Sequence, residues 1–312
     1  MSESPRVLIL GATGQLGMEL QRCFAGTAPL VALGREGLDL GVPADIRDLV
    51  ERVRPDVILN AAAYTAVDRA ESDKERAFAV NGRGPRLLAE AALRANALLV
   101  HYSTDYVFDG RKYEPWSEDD ATRPLNVYGA SKLEGEAAIR HVGGRYLIFR
   151  TSWVYGPQGQ NFLSTMLRLG RESHELNLVS DQVGAPTTSM ELARATRTIV
   201  DGVLEGRYGS PAEWAGVYHM TCEGSTTWCG FAQAIFQRAG ALLEGHKPRV
   251  NPIPSRDYPT PARRPENSVL SNARLHERFG VQLAPWESAL DEVMAVLQKR
   301  AAAPQITGRD SG

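Results

Sequence analysis

Short apolar runs and amphipathic stretches alternate along the first half of the chain. Val7-Leu8-Ile9-Leu10 is apolar throughout, rich in β-formers, and stops at Gly11. Over Gln15–Phe24 the apolar positions Leu16, Leu20 and Phe24 recur at helical spacing. Leu30-Val31-Ala32-Leu33 predicts a second strand, residues 45–52 a helix, and Val57-Ile58-Leu59, after Pro55, a third strand. An Ala/Leu-rich helix is predicted over 77–95, a strand over Leu98-Leu99-Val100-His101-Tyr102, a helix over 128–140 and a strand over Tyr146–Thr151. Strands that are apolar on nearly every residue, each followed by a helix, mark a parallel sheet covered on both faces. The fold class is therefore α/β, with a doubly wound parallel sheet.

Beyond about residue 155 the alternation loosens, and Gly156-Pro157, Ala185-Pro186 and the stretch 248–265 punctuate the chain. Helices are predicted there over 190–204 and 227–243, and residues 216–220 as a strand returning to the main sheet. The division expected is a sheet-bearing part over 1–155 and a smaller C-terminal part, built for binding, over 156–312. The tail after Arg300, Ala-rich and then Gly/Asp/Ser, is expected to fray. No internal repeat or low-complexity block is visible.

With 312 residues, 43% hydrophobic and 23% charged, the chain supports a large core and sets aside disorder, collagen and coiled coil. Its 35 basic and 37 acidic residues leave a net charge of -2, so no nucleic-acid partner is expected. Cys23, Cys222 and Cys229 form no CxxC pair, which argues for packed thiols and against a disulfide scaffold or a Cys-rich zinc site. Met1-Ser2-Glu3-Ser4-Pro5 lacks the basic and apolar regions of a leader, and no window approaches the ~20 apolar residues of a membrane span. A cytoplasmic protein of enzyme size, with no membrane partner, is expected.

Three motifs carry chemistry. Gly11-Ala12-Thr13-Gly14-Gln15-Leu16-Gly17 follows the first strand and opens a helix. Glycines there let backbone approach a pyrophosphate, and the helix start offers unpaired amides. The spacing is GxxGxxG, and its position at the first strand–helix junction makes the fold Rossmann-like. Tyr128-Gly129-Ala130-Ser131-Lys132 places a phenol and an ammonium on one helix face. A lysine charge beside a phenol lowers its pKa from ~10, and such a Tyr serves as a general acid. Ser103-Thr104-Asp105-Tyr106-Val107-Phe108 follows a strand, where open α/β sheets bind ligands, so Thr104 is placed to bond a substrate oxygen. These residues define a nucleotide-dependent oxidoreductase.

With Asn60-Ala61-Ala62-Ala63, these motifs resemble the extended short-chain dehydrogenase/reductases. The match narrows at Tyr102-Ser103-Thr104-Asp105-Tyr106-Val107-Phe108, Pro124-Leu125-Asn126-Val127-Tyr128-Gly129, Phe149-Arg150-Thr151-Ser152-Trp153-Val154-Tyr155, Asp181-Gln182-Val183-Gly184-Ala185-Pro186-Thr187 and Tyr258-Pro259-Thr260-Pro261. These resemble the dTDP-4-dehydrorhamnose reductase family over residues 6–297. The resemblance implies hydride transfer from NADPH, or less well NADH, to the ketone of a 4-keto-6-deoxy sugar on dTDP. By it Tyr128 protonates the emerging alkoxide, Lys132 holds the nicotinamide ribose and tunes Tyr128, and Thr104 orients the ketone in place of the usual Ser. Asp105 and Trp153 match sugar-contacting positions. Gly14, Gln15 and Leu16 match the pyrophosphate loop, with Gly11 and Gly17 framing it. Asp39, Leu40, Ala63, Tyr64 and Thr65 match adenine and ribose contacts, with Tyr64 standing where His is frequent. Arg264 and Asn267 are expected to touch the substrate's nucleotide. Mg2+ is an open question: Glu19 matches a glutamate ligand used at a subunit interface in some members, but the second expected Glu is Met190, with Glu191 next to it. A homodimer is left open.

After the second strand, NAD-preferring enzymes place an acid that binds the adenosine ribose. Gly34 stands there and Arg35 follows, a guanidinium suited to a 2′-phosphate. The competing functions are a nucleotide-sugar dehydratase or epimerase, whose Thr-Asp-Glu base is missing because Tyr106 follows Asp105, and a non-catalytic regulatory subunit like the β subunit of methionine adenosyltransferase. His101 is expected to be a core or supporting imidazole, Trp228 a helix anchor, and Glu118-Asp119-Asp120 a solvated loop.

Overall fold

A computed structural model describes residues 4–26, 29–42, 44–246 and 248–302. Strand β1 (Val7–Leu10) is buried on both faces, and its alternating side chains feed two separate cores. Val7 and Ile9 meet Leu20 and Phe24 of helix α1 (Gln15–Phe24) and Leu192, Ile199 and Val203 of helix Ser189–Leu204. Leu8 and Leu10 meet Ile46, Leu49 and Val50 of α2 (Ala44–Val53), on the opposite face. The uniformly apolar runs are thus strands sandwiched between helices.

The sheet is completed by β2 (Leu30–Leu33), β3 (Val57–Asn60), β4 (Leu98–Thr104), β5 (Tyr146–Thr151) and the strand Gly216–His219. All pairings are parallel, and β1 lies between β2 and β3. The winding reverses at β1 and β3, so a crevice opens at their carboxyl ends. The segment 216–220 does return to the sheet, with Gly216 paired to Leu147 and His219 to Arg150.

The stretch predicted as one helix over 77–95 is interrupted. After α3 (Val67–Ala70), helix α4 (Lys74–Phe78) runs into a π-turn over Ala79–Arg83 and only then into α5 (Gly84–Ala95). Pro85 at the start of α5 has no N–H to continue the ladder. The wide turn faces α6 (Val127–Val142), and a side chain on Gly135 would collide with the Asn81 carbonyl.

In the C-terminal part, helices Phe162–Glu172, Trp228–Ala239 and Trp286–Ala302 pack around Tyr155, Phe231 and Trp286. The first and last of these were not expected from sequence, nor was the parallel pair Glu175–Val179 with Arg249–Ile253. The predicted helix over 227–243 ends at Ala239, where Gly240 turns the chain into a 3-10 turn. The last helix runs through Ala302, and the rest of the tail expected to fray lies outside the described residues. Among the described residues no helix is long and apolar enough to cross a membrane.

Candidate active site

Gly11 closes β1 with φ +78°, and a Cβ there would stand 2.6 Å from the Ala62 nitrogen. A Cβ on Gly17 would collide with the Gly11 carbonyl. Only glycine allows the loop to lie this close to β3 and to its own helix. Gly14 begins α1 with no side-chain cap, so the first-turn amides of Gln15, Leu16 and Gly17 are left for an anionic ligand. Gln15 reaches across the crevice, where its Oε1 accepts from Asn161 Nδ2 at 2.8 Å. The cradle therefore fits a dinucleotide pyrophosphate.

Arg35 follows β2 and is exposed, and its charge acts on both Asp39 and Tyr64. Asp39 is ion-paired with Arg76 and accepts from Gly41 N at 2.9 Å. Burial works against the Asp39 charge, but the Arg76 bond prevails and holds the carboxyl below its ordinary value. Leu40 turns its side chain into the core. Asn81, on the π-turn, accepts from Tyr64 N at 2.8 Å and donates to Tyr64 O at 3.0 Å and to Ser131 Oγ at 3.0 Å. It clamps the Ala63-Tyr64-Thr65 loop to α6. The Tyr64 hydroxyl is turned to Asp73.

Thr104 ends β4, Asp105 follows it, and Tyr128 stands on the first turn of α6. That turn is fixed by Asn126, which accepts from Gly129 N at 2.8 Å, and by Glu71, which accepts from Val127 N at 2.8 Å. Gly129 is required because any side chain would strike the Tyr106 carbonyl. The Thr104 hydroxyl donates to Asp105 Oδ1 at 2.9 Å and lies near enough to the Tyr128 phenol to act on its ionisation. Burial pushes the phenol up to about 12 against the pull of Thr104, with the Asp105 charge adding to the rise. Burial likewise pushes Asp105 up to about 7. With Ser268 Oγ turned to the Val183 carbonyl, Asp105 Oδ2 has no partner.

The Lys132 ammonium donates to the Tyr102 carbonyl at 2.5 Å and stands 3.3 Å from His101 Nε2. The helix places the Tyr128 and Lys132 side chains near β4, and a buried ammonium goes to the strongest acceptor in reach. Burial lowers Lys132 to about 8 while Glu136, one turn along, opposes the fall. Glu136 itself is paired with Arg150 at 2.7 Å and accepts from Ser103 Oγ at 2.5 Å. Neither this pair nor Asn81 was picked out from sequence. The signal available for Glu136 was its spacing of one turn from Lys132.

Trp153 has φ +46°, the left-handed region that an aromatic residue rarely occupies. It is pressed against Gly184, which has no room for a Cβ, and stacks on Trp228 with centroids 3.5 Å apart. Trp228 is thus a second wall for Trp153 as well as the first residue of its helix. Arg264 is held by Asp68 through two bonds of 2.8 Å. Asn267 spends its amide on backbone of its own chain, donating to Lys112 O at 2.7 Å and accepting from Val269 N at 3.0 Å. Glu118 is not solvated, because it accepts from His219 N at 2.8 Å and faces Arg274. Asp120 is bonded to Lys112 and Ser117, so only Asp119 of that run stands largely in solvent.

Within one chain the glutamates considered for Mg2+ are taken up by arginines. Glu19 accepts from Arg22 at 2.6 Å, while Arg194 sits between Glu191 and Glu292. Arginine already supplies the positive charge, and among the described residues no group of three or more His, Cys, Asp or Glu could hold a metal ion.

A glycine cradle at the switch of an open parallel sheet, with a Tyr/Lys helix running back toward it, defines an extended short-chain dehydrogenase/reductase. Residues 5–299 match the family described as RmlD substrate binding domain. A dTDP-4-dehydrorhamnose reductase of Burkholderia thailandensis is 50% identical over 289 residues, covering 91% of this chain and 96% of that protein. The solved Clostridium acetobutylicum dTDP-4-dehydrorhamnose reductase superposes with a TM-score of 0.86 at 37% identity, covering 94% of this chain and 99% of the other. That of Bacillus anthracis, in complex with NADP, gives 0.85 at 34% identity, covering 94% of this chain and 99% of the other. The chain belongs to the dTDP-4-dehydrorhamnose reductase family.

Proposed function

We propose that the chain reduces the 4-keto group of dTDP-4-dehydro-L-rhamnose (dTDP-4-dehydro-6-deoxy-L-mannose) to dTDP-L-rhamnose, the last step of dTDP-rhamnose biosynthesis, with NADPH as reductant. The observation that carries the chemistry is the meeting of Thr104, Tyr128 and the unpartnered Asp105 oxygen at the end of β4. Bound NADPH would supply the hydride. The first-turn amides of α1 would hold its pyrophosphate, Arg35 its 2′-phosphate, and Ala63, Tyr64 and Thr65 would border its ribose and adenine.

Tyr128 keeps its proton at neutral pH, since burial raises the phenol, and it is the acid that neutralises the oxyanion formed at the ketone. Thr104 orients that oxygen. Its hydroxyl gains importance as negative charge develops. Asp105 Oδ2 is free to accept from a sugar hydroxyl, and the Trp153–Trp228 stack offers the flat apolar wall that sugar C–H faces need. Arg264 adds positive charge for the nucleotide phosphates. The same reading takes the enzyme as cytoplasmic and leaves a homodimer open to sedimentation.

The test is loss of NADPH absorbance on adding the 4-keto sugar nucleotide. Tyr128→Phe removes only the hydroxyl and should lower turnover by roughly 10²–10⁴ with NADPH affinity kept. Near-normal turnover in that variant would remove Tyr128 from the chemistry.

A further inference from the structure

A line of polar side chains crosses the sheet interior and ends on Lys132. Asn60 closes β3 directly beside His101 on β4. The Ala62 backbone N–H, which can only donate, bonds Asn60 Oδ1 at 3.2 Å. That contact sets the amide, so its nitrogen faces His101 Nδ1 at 2.9 Å as the donor. A neutral imidazole that accepts at Nδ1 carries its proton on Nε2. His101 is neutral: it is fully buried, and burial holds its pKa well below the ordinary value. Its Nε2–H therefore points at Lys132 Nζ, 3.3 Å away.

An ammonium has three donors and no acceptor, whereas the uncharged amine has a lone pair. The donor of His101 is thus satisfied only when Lys132 is uncharged. We propose that Asn60 and His101 are positioning residues that lock the Nε2–H tautomer and favour the amine form of Lys132. The opposing influence comes from Glu136 on α6, itself neutralised by Arg150 of β5. The Tyr102 carbonyl of β4 serves either form as a neighbour but accepts only from a proton on nitrogen. Lys132 is then a group that exchanges its proton near neutral pH and not a fixed cation. Its lowering to about 8 agrees with that balance.

The inference rests on the reading of Lys132 as part of the active site, and its test separates the two. In the full-length enzyme labelled with 15N-histidine, with His101→Gln used to identify the signal, His101 should be the neutral Nε2–H tautomer. It should show a step near pH 8 that disappears in Lys132→Met. Asn60→Asp keeps the bond from Ala62 but draws the imidazole proton to Nδ1, turning the Nε2 lone pair on Lys132. The limb of the turnover–pH profile that depends on Lys132 should then move up by about one unit or more. An Nδ1–H tautomer in the wild-type enzyme, or an Asn60→Asp limb that stays or moves down, overturns the inference. Loss of turnover in Lys132→Met alongside either result would leave the active-site reading standing.

Discussion

Removing the cation from the buried Arg150–Glu136 pair gives the most sharply bounded prediction. The two side chains are only 3% and 1% exposed, and they share three bonds between 2.7 and 3.2 Å. The guanidinium also lies 5.2 Å from the centre of the Phe108 ring. Arg150→Met keeps the aliphatic stem but leaves the Glu136 carboxylate with Ser103 as its remaining donor. Stranding a buried charge costs about 3–5 kcal/mol, or a drop of order 10 °C in Tm for a chain of this size. Adding Glu136→Gln should recover part of the loss, because the neutral amide still accepts from Ser103. Urea unfolding of both variants measures the pair. A single-variant cost under about 1 kcal/mol, the usual value of an exposed ion pair, would show that water reaches the site and refute the burial argument.

Asp105 predicts a pH dependence of stability. Its folded pKa of about 7 lies above the ordinary 3.8, so the folded chain holds a proton that the unfolded chain has released. Stability therefore falls as pH rises through that window and is flat above it. Asp105→Asn should lack this fall, and an equal slope in both proteins by chemical denaturation would contradict it. Arg35→Ala should raise the KM for NADPH and spare that for NADH, erasing a preference of roughly tenfold to a hundredfold; an unchanged ratio returns Arg35 to the surface. Turnover should be indifferent to EDTA and to added Mg2+, because Arg194 neutralises the carboxylates, and a loss restored by Mg2+ would show that the arginine is displaced.

The strands and the crevice were legible because an apolar run of four, as in Val7–Leu10, has few other homes than a covered parallel sheet. Helix Phe162–Glu172 was equally readable, since Leu163, Met166, Leu167 and Gly170 share its buried face, but the glycines around it masked the signal. The π-turn at Ala79–Arg83 could not be read, because it answers to the approach of Gly135 from another helix. Spacing placed Tyr128 and Lys132 on one face. It could not tell which acceptor Lys132 would choose, because that depends on where the Tyr102 carbonyl lies. For Asn267 and Glu118 the residue type was informative and the partner was not. Both are consumed by backbone groups far away in sequence.

The return of Gly216–His219 to the sheet governs how the chain must be made. Until that strand arrives, β5 is an edge, with Ile148 and Phe149 beside unpaired backbone. The face above β1 is likewise bare until Leu192 and Ile199 are in place. An excised fragment of residues 1–155 would present both defects at once and would be a template for intermolecular strand addition. During synthesis the same segment must wait at the ribosome for some sixty further residues before its sheet is closed. Closure of the sheet therefore ties β1 to a strand some two hundred residues later in the chain. A designer wishing to exchange the C-terminal part for another would have to leave behind both the strand and the helix Ser189–Leu204, because they belong to the sheet-bearing half in all but sequence order.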